Sequence, residues 1–229
     1  MLKLMRLEMK KVNIKNYIMA AIIANVVIIS ILSIIFIGIH NESKVIVQYP
    51  NFIFSLVESI VKATFIVFAS TLISKLVIEE YRDKTISLLF MYPVNRKKII
   101  VSKLVLIAIF TFICLLVSTI FIESVIYVSN NFVKFVAFNV EMPFTYNNLI
   151  EILFSSLASA GTSLISLFFG MIRKSVAATI VSSILMVTII CSNGGGLSLS
   201  SIVGVQIALF ITGIIIAYST IVNIEHVDV

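Results

Sequence analysis

The chain has 229 residues, 60% of them hydrophobic and 12% charged, with a formal net charge of +6. Soluble domains are about 45–50% apolar and about 25% charged, so this composition excludes a water-soluble core and indicates lipid as the natural solvent. Basic membrane proteins carry Lys and Arg mainly in cytoplasmic loops, so the positive charge does not predict a nucleic-acid partner. Cys114 and Cys191 fall inside apolar segments, which argues against a disulfide framework or a thiolate metal site.

The first predicted element is a basic amphipathic helix over residues 2–14. Its apolar side chains fall near one helical face, which holds Leu2, Met5, Met9 and Val12. Its basic side chains fall on another face, which holds Lys3, Arg6 and Lys10. Such a helix lies in the inner interface of a membrane, with its apolar face toward the acyl chains. The alternative is a disordered basic flank that only sets the topology.

Six apolar segments follow, and each predicts a transmembrane helix because about 20 apolar residues cross a bilayer in that form. They cover residues 17–39, 54–78, 99–128, 149–172, 176–191 and 202–222. Helices satisfy the backbone within each segment, and these segments are longer than the roughly 10-residue strands of membrane barrels. The predicted fold class is an all-α membrane protein, with residues 1–229 forming a single transmembrane domain.

The positions of Lys and Arg predict the orientation. Fourteen of the 17 lie in the N-terminal segment, around the connector after the second span, or in the turn after the fourth span. The loops on the opposite side hold only Lys44 and Lys134. Cytoplasmic loops carry an excess of Lys and Arg, so we expect residues 79–98 and both termini on the cytoplasmic side of the cell membrane.

The connector of residues 79–98 is the one densely charged segment between spans. Glu79 and Glu80 open it and Pro93 interrupts it. Four apolar side chains lie between these positions: Ile86, Leu88, Leu89 and Phe90. A short helix of this composition can insert its apolar side chains into a groove of a cytoplasmic partner, with charges at the rim. A solvated loop that only obeys the positive-inside rule is the alternative.

The order of residues in and after the connector follows a recognisable pattern. It runs Glu80, Thr85, Leu88-Leu89, Pro93, Arg96 and then Lys103. This resembles the signature of type-2 ABC transporter permeases, in which an acidic residue, Gly-Thr, a Leu pair, Pro, a small residue and Arg precede a Lys that opens the third span. Lys84 stands where the family has Gly, and Asn95 where it has the small residue. The general plan is also similar over the whole chain, with six spans and both ends inside.

The resemblance implies the transmembrane subunit of an ABC exporter, a small bacterial permease energised by a separate ATPase subunit. The connector would then be a coupling helix, in contact with that ATPase through Glu80, Arg82, Thr85, Leu88 and Leu89. A second permease is also implied, either another copy or a related chain. The implied cargo is a peptide, an antibiotic or a lipid-like molecule, as in bacteriocin immunity. ATP would bind to the partner, and this chain would hold no cofactor.

Three ionisable residues fall in the outer half of the predicted spans, where a charge is costly and marks a functional or paired site. Glu58 and Lys62 are spaced i,i+4 on the second span, so they share a helical face and can pair. Glu123 on the third span lies at a similar depth. One interpretation is a cluster facing the bundle interior or a dimer interface, in which Lys62 lines an outward path or clamps the second and third spans. The other places both carboxylates at the outer interface, with Lys62 extending toward it.

The sequence contains no recognisable catalytic or nucleotide-binding motif. It lacks a Gly-x-x-x-x-Gly-Lys-Ser/Thr phosphate loop, and its two histidines, His40 and His226, lie near opposite ends of the chain. The chain by itself is therefore not predicted to be an enzyme. Two other functions stay open: a secondary carrier driven by an ion gradient through Glu58, Lys62 and Glu123, and a non-transporting anchor or sensor that recruits a partner through residues 79–98.

Overall fold

The computed structural model describes residues 14–41, 50–82, 96–133, 145–191, 193–194, 197–198 and 203–223. The predicted N-terminal helix, apart from Ile14, and residues 83–95 of the connector lie outside the described residues. The described elements follow in chain order: α1 (Ile14–Asn41), α2 (Pro50–Ile73), a π-helical segment (Ser74–Ile78), α3 (Glu79–Arg82), α4 (Arg96–Val133), α5 (Tyr146–Ser163), α6 (Ile165–Arg173), α7 (Val176–Ile190), β1 (Asn193–Gly194), β2 (Leu197–Ser198) and α8 (Val203–Asn223).

The described chain is helical apart from the two short strands, which pair antiparallel and join α7 to α8. Four stretches are long and apolar enough to cross a membrane: Lys15–Ile35, Ser55–Ile78, Ile99–Asn130 and Asn148–Arg173. They coincide with the first four predicted spans. The fifth and sixth predicted spans fall on shorter apolar helices, Val176–Ile190 and Gly204–Thr220. The helical class is therefore confirmed, whereas the count of six spans stays a prediction.

The bundle has two ends of different charge. The basic end holds Lys75, Arg82, Lys103, Arg173 and Lys174, where α2 stops, α4 starts and α6 turns into α7. Among the described residues, the acidic end holds three carboxyls, contributed by α2, α4 and α5: Glu58, Glu123 and Glu151.

Two clusters of buried apolar side chains hold the helices together between these ends. The cluster toward the basic end joins the end of α2 and the π-helical segment to α4, α6 and α8, with Ile73, Ile78 and Ile107 fully enclosed. The other joins α1 to α2 and α4, around Ile28, Phe65 and Ile122. Helix α2 contributes to both clusters, so it connects the cluster near the basic end to the other one.

Helix α1 lies at the edge of the described bundle. Most of its surface is exposed, including large aliphatic side chains such as Ile22, Ile23 and Ile34. A lipid environment stabilises such a face, whereas water would not. The amide Nδ2 of Asn25 donates a hydrogen bond to Ser118 Oγ on α4 at 2.9 Å, an interhelical contact of the kind that polar side chains make inside membrane spans.

Helix α5 is the most enclosed of the long helices, and small and hydroxylated side chains cover it. Its Ser and Thr hydroxyls mostly bond to carbonyl oxygens one turn earlier, as Ser159 does to Ser155 O at 2.8 Å. Hydroxyls satisfied in this way add little bulk, so neighbouring helices can approach closely. The approach is closest between α5 and α8, where Gly161 and Gly213 face each other.

The turn between α6 and α7 is a compact cap at the basic end. Lys174 has left-handed backbone with φ 45°. Its N–H bonds to Met171 O at 3.4 Å, and the N–H of Ser175 bonds to Gly170 O at 3.3 Å. This is the Schellman pattern, usually built with Gly at the left-handed position. The turn reverses the chain within two residues, so α7 returns along α2 and α6.

The glycine contact predicts a position that tolerates no side chain. A Cβ at Gly213 would lie 2.1 Å from Gly161 O, a backbone atom that cannot move aside on its own. We expect Gly213→Ala to lower the stability of the detergent-solubilised protein by about 2 kcal/mol, the usual scale for overpacking. Thermal denaturation followed by loss of monodisperse protein measures the effect.

Gly204→Ala is the matched control on the same helix, because nothing lies within 4 Å of a Cβ there. It should leave the stability unchanged or raise it slightly, since Ala favours helix over Gly by about 1 kcal/mol. Equal behaviour of the two variants would contradict the close packing of α5 and α8.

Candidate functional site

The acidic end contains an ion pair within one turn of α2. Lys62 Nζ lies 2.7 Å from Glu58 Oε1, as the i,i+4 spacing predicts. The Lys62 side chain is only 4% exposed and that of Glu58 is 19% exposed. An ammonium inside an apolar bundle is costly without a counter-charge, so the carboxylate of Glu58 is what allows Lys62 to be buried here.

A second helix completes this pair. Ser155 on α5 donates its hydroxyl to the same Glu58 Oε1 at 2.7 Å. One oxygen of Glu58 thus receives a charged donor from its own helix and a neutral donor from α5. The contact fixes the rotation of α2 relative to α5, because both donors must point at one oxygen.

A further carboxyl and a thiol approach this pair from neighbouring parts of the chain. Glu123 on α4 is close enough to interact electrostatically with Glu58 and with Glu151 on α5. Cys191, which follows α7, interacts with Lys62 and Glu58, and its thiol contacts Ser59 O at 3.6 Å. Helices α2, α4 and α5 and the residue that follows α7 therefore contribute to one polar region at the acidic end.

The structure thus brings together all three residues of the predicted intramembrane cluster. Lys62 is buried and paired with Glu58, and Glu123 lies within electrostatic range of Glu58. One carboxylate pairs directly with the ammonium, and a second carboxyl lies within electrostatic range of the first. These residues can attract a cation or pass a proton, but they do not form a nucleophile–base pair. No group of His, Cys, Asp and Glu with metal-binding geometry occurs among the described residues. Whether the cluster acts in transport stays a hypothesis.

The basic end holds a second buried ion pair, between the start of the connector and the start of the third span. Lys103 on α4 pairs with Glu80 on α3. The same ammonium donates to Leu76 O, inside the π-helical segment, at 3.1 Å. Both side chains are largely enclosed, Lys103 being 4% and Glu80 15% exposed.

Only part of the predicted ATPase contact can be located. Glu80 and Arg82 lie at the basic end, where Arg82 is exposed. Thr85, Leu88 and Leu89 lie outside the described residues. The family pattern contains the acidic residue and the Lys as separate positions, and the structure shows that in this chain they meet.

Several site residues were missed by sequence reasoning. Ser155 and Glu151 were not among the predicted site residues. The spacing of Glu151 and Ser155, i,i+4 on one helical face, is the signal that could have placed both at the acidic end. The contact between Lys103 and Leu76 O leaves no trace in the sequence, because it depends on how α4 crosses the end of α2.

The buried pair at the acidic end predicts a non-additive response to mutation. Lys62→Met leaves the Glu58 carboxylate inside the bundle without its ammonium partner. We expect a loss of about 3 kcal/mol, as for other broken buried pairs, in denaturation of the protein in detergent. The double variant Glu58→Gln/Lys62→Met removes both charges and should recover most of that loss.

Additive effects of the two substitutions would contradict the pairing. Lys15→Met at the exposed start of α1 is the control for loss of one positive charge. It should leave the stability within about 0.5 kcal/mol of the wild type, as surface substitutions usually do.

Comparison with known proteins agrees with these features. The family model described as ABC-2 family transporter protein matches residues 4–192. An uncharacterized protein of Bacillus subtilis (strain 168), YcbO, is 36% identical over 227 residues, which is 99% of this chain and 100% of YcbO. No solved structure matches the chain. With its bundle of apolar helices and a family match over most of its length, the chain belongs to the ABC-2 transporter family.

Proposed function

We propose that this chain is the permease subunit of an ATP-driven ABC exporter. The observation that carries the proposal is the family match over residues 4–192. ABC-2 permeases generally work with an ABC ATPase subunit, which supplies the phosphate loop that this sequence lacks. The chain would then contribute the path through the membrane, and ATP hydrolysis would take place in the partner.

The packing of the shorter helices supports six spans. Helix α7 lies against α2, and α8 lies against α5. Both neighbours belong to stretches long enough to cross a membrane. Helices packed along such neighbours share their depth, so α7 and α8 would be the fifth and sixth spans. A shorter span is accommodated by local thinning of the bilayer.

The grouping of Lys and Arg at one end supports the orientation. In this proposal the basic end faces the cytoplasm, together with the N- and C-termini, and the acidic end faces outward. The connector then leaves the membrane where an ATPase can reach it, beginning at Glu80 and Arg82. Leu88 and Leu89 would provide the apolar part of that contact, with Thr85 also at the interface.

A second permease and the class of cargo complete the proposal. Permeases of the type that this chain resembles act in pairs, so we expect a homodimer or a related partner chain within the bilayer. The proposed cargo is a peptide, an antibiotic or a lipid-like molecule, and this class rests on the resemblance alone. The cluster of Glu58, Lys62 and Glu123 is the polar feature that such a cargo would meet in the outer half of the bundle.

Co-purification of the ATPase subunit is the simplest test of the connector. The tagged full-length chain, extracted in mild detergent from its native membrane, should co-purify with a subunit that carries a phosphate loop and hydrolyses ATP. Leu88→Asp should reduce the bound ATPase by about tenfold or more, because a charge replaces an apolar side chain at the proposed contact. The amount of bound ATPase is measured per molecule of permease recovered, for the wild type and for Leu88→Asp.

Leu88→Met is the matched control, since it keeps an apolar side chain of similar volume and should retain the ATPase. Normal ATPase recovery with Leu88→Asp would overturn the coupling-helix assignment. Flux driven by an ion gradient, without any ATPase, would instead support the secondary carrier. A bound ATPase without any flux would support the anchor or sensor.

The orientation predicts which residues a membrane-impermeant thiol reagent labels in intact cells. With Cys114 and Cys191 replaced by Ser, Tyr146→Cys should react from outside, because Tyr146 is 76% exposed at the acidic end. Arg173→Cys, exposed at the basic end, should react only after the membrane is permeabilised. Labelling of Arg173→Cys in intact cells would show that the orientation is wrong.

A further inference from the structure

The connector is closed at its base by a buried ion pair. Glu80 lies in the last described helical turn before residues 83–95, and Lys103 lies in the second turn of the helix that follows them. Their contact therefore joins the two places where the chain leaves and re-enters the bundle. Whatever the connector binds, its two ends are held at a fixed separation by this pair.

The π-helical segment helps to hold the ammonium. In this segment the N–H of Glu79 bonds to Ser74 O, five residues back, instead of the four of an α-helix. Leu76 O, in the same segment, accepts a hydrogen bond from Lys103 Nζ. π-Helical turns of this kind are rare and occur frequently at functional sites. Lys103 thus contacts both the widened turn and the first turn of the connector.

The surroundings make this contact an anchor for both helices. Lys103 is almost fully enclosed, and its apolar neighbours Ile100 and Leu104 belong to the buried cluster at the basic end. An enclosed ammonium that loses its partners suffers the full desolvation penalty, so the arrangement resists sliding of α4 along α2. An exposed Lys in the same region, such as Lys75, carries no comparable constraint.

We propose that Lys103 is a positioning residue that clamps the two bases of the connector onto the π-helical segment, so that the connector moves together with α2 and α4. That the connector binds an ATPase rests on the proposed function, whereas the clamp itself does not. In a working transporter the clamp would convert a push on the connector into a movement of both spans. Without the clamp, the connector would still bind its partner, but its movement would not be transmitted to α2 and α4.

Hydrogen exchange of the full-length chain in lipid nanodiscs tests the clamp without any partner. In Lys103→Met we expect the amides of residues 76–82 and 96–103 to exchange about tenfold faster, because local opening no longer breaks the pair. The amides of residues 107–122, in the middle of α4, should keep the wild-type rate. Wild-type exchange at residues 76–82 in this variant would overturn the proposal.

The double variant Glu80→Gln/Lys103→Met separates positioning from simple charge balance. It buries no unpartnered charge, so its thermal stability should return close to that of the wild type. The exchange at residues 76–82 should nevertheless stay fast, because the neutral side chains hold the turn less firmly. If the double variant shows both the stability and the slow exchange of the wild type, the pair only balances charge, and its positioning role is overturned.

Lys103→Met, which leaves the proposed ATPase contact unaltered, has a functional readout in the purified complex with the co-purified ATPase. We expect ATPase subunits to remain bound, with ATP hydrolysis no longer responding to the permease, whereas Lys103→Arg should preserve that response. An unchanged response in Lys103→Met would count against the clamp. If the wild type recovers no ATPase, the proposed function fails, while the exchange measurement still decides the clamp.

Discussion

A bilayer offers no hydrogen-bond partners in its core, so polar groups on a spanning helix must find partners within the protein. Helix α2 and the segment that continues it meet this constraint at three levels. Glu58 bonds to Ser155 on α5, Ser70 lies 2.8 Å from Ser183 on α7, and Leu76 O accepts from Lys103 on α4. Each contact reaches a different neighbour. Together they fix the position and the rotation of α2, and the apolar clusters pack around it.

This arrangement places both candidate sites on one helix. The cluster of Glu58, Lys62 and Glu123 includes the first half of α2, and the clamp includes α3 and the π-helical segment that continues α2. The apolar residues between them are tightly enclosed, with Phe65 and Ile73 fully buried. A well-packed segment of this kind moves as a body instead of bending freely. It is therefore the direct physical connection between the end where an ATPase would act and the end where a cargo would leave.

The sequence was sufficient for the features that depend on local pattern. The long apolar runs located the first four spans, and the i,i+4 spacing of Glu58 and Lys62 located their ion pair. Features that depend on how helices cross could not be predicted in this way. The sequence of the π-helical segment, Ser74–Ile78, carries no signal for a widened turn, and Lys174 adopts a left-handed turn that usually calls for Gly. Residues 83–95, which hold most of the predicted ATPase contact, stay a prediction.

The most direct test of the account is a cryo-EM structure of the full-length chain, purified in lipid nanodiscs together with its ATPase. We predict an ATPase subunit at the basic end, with the connector of residues 79–98 inserted into its cleft and Lys103 still in contact with Glu80. The same map should show six spans and a second permease. An ATPase bound elsewhere, or a chain that forms its transport path without one, would contradict the central claim.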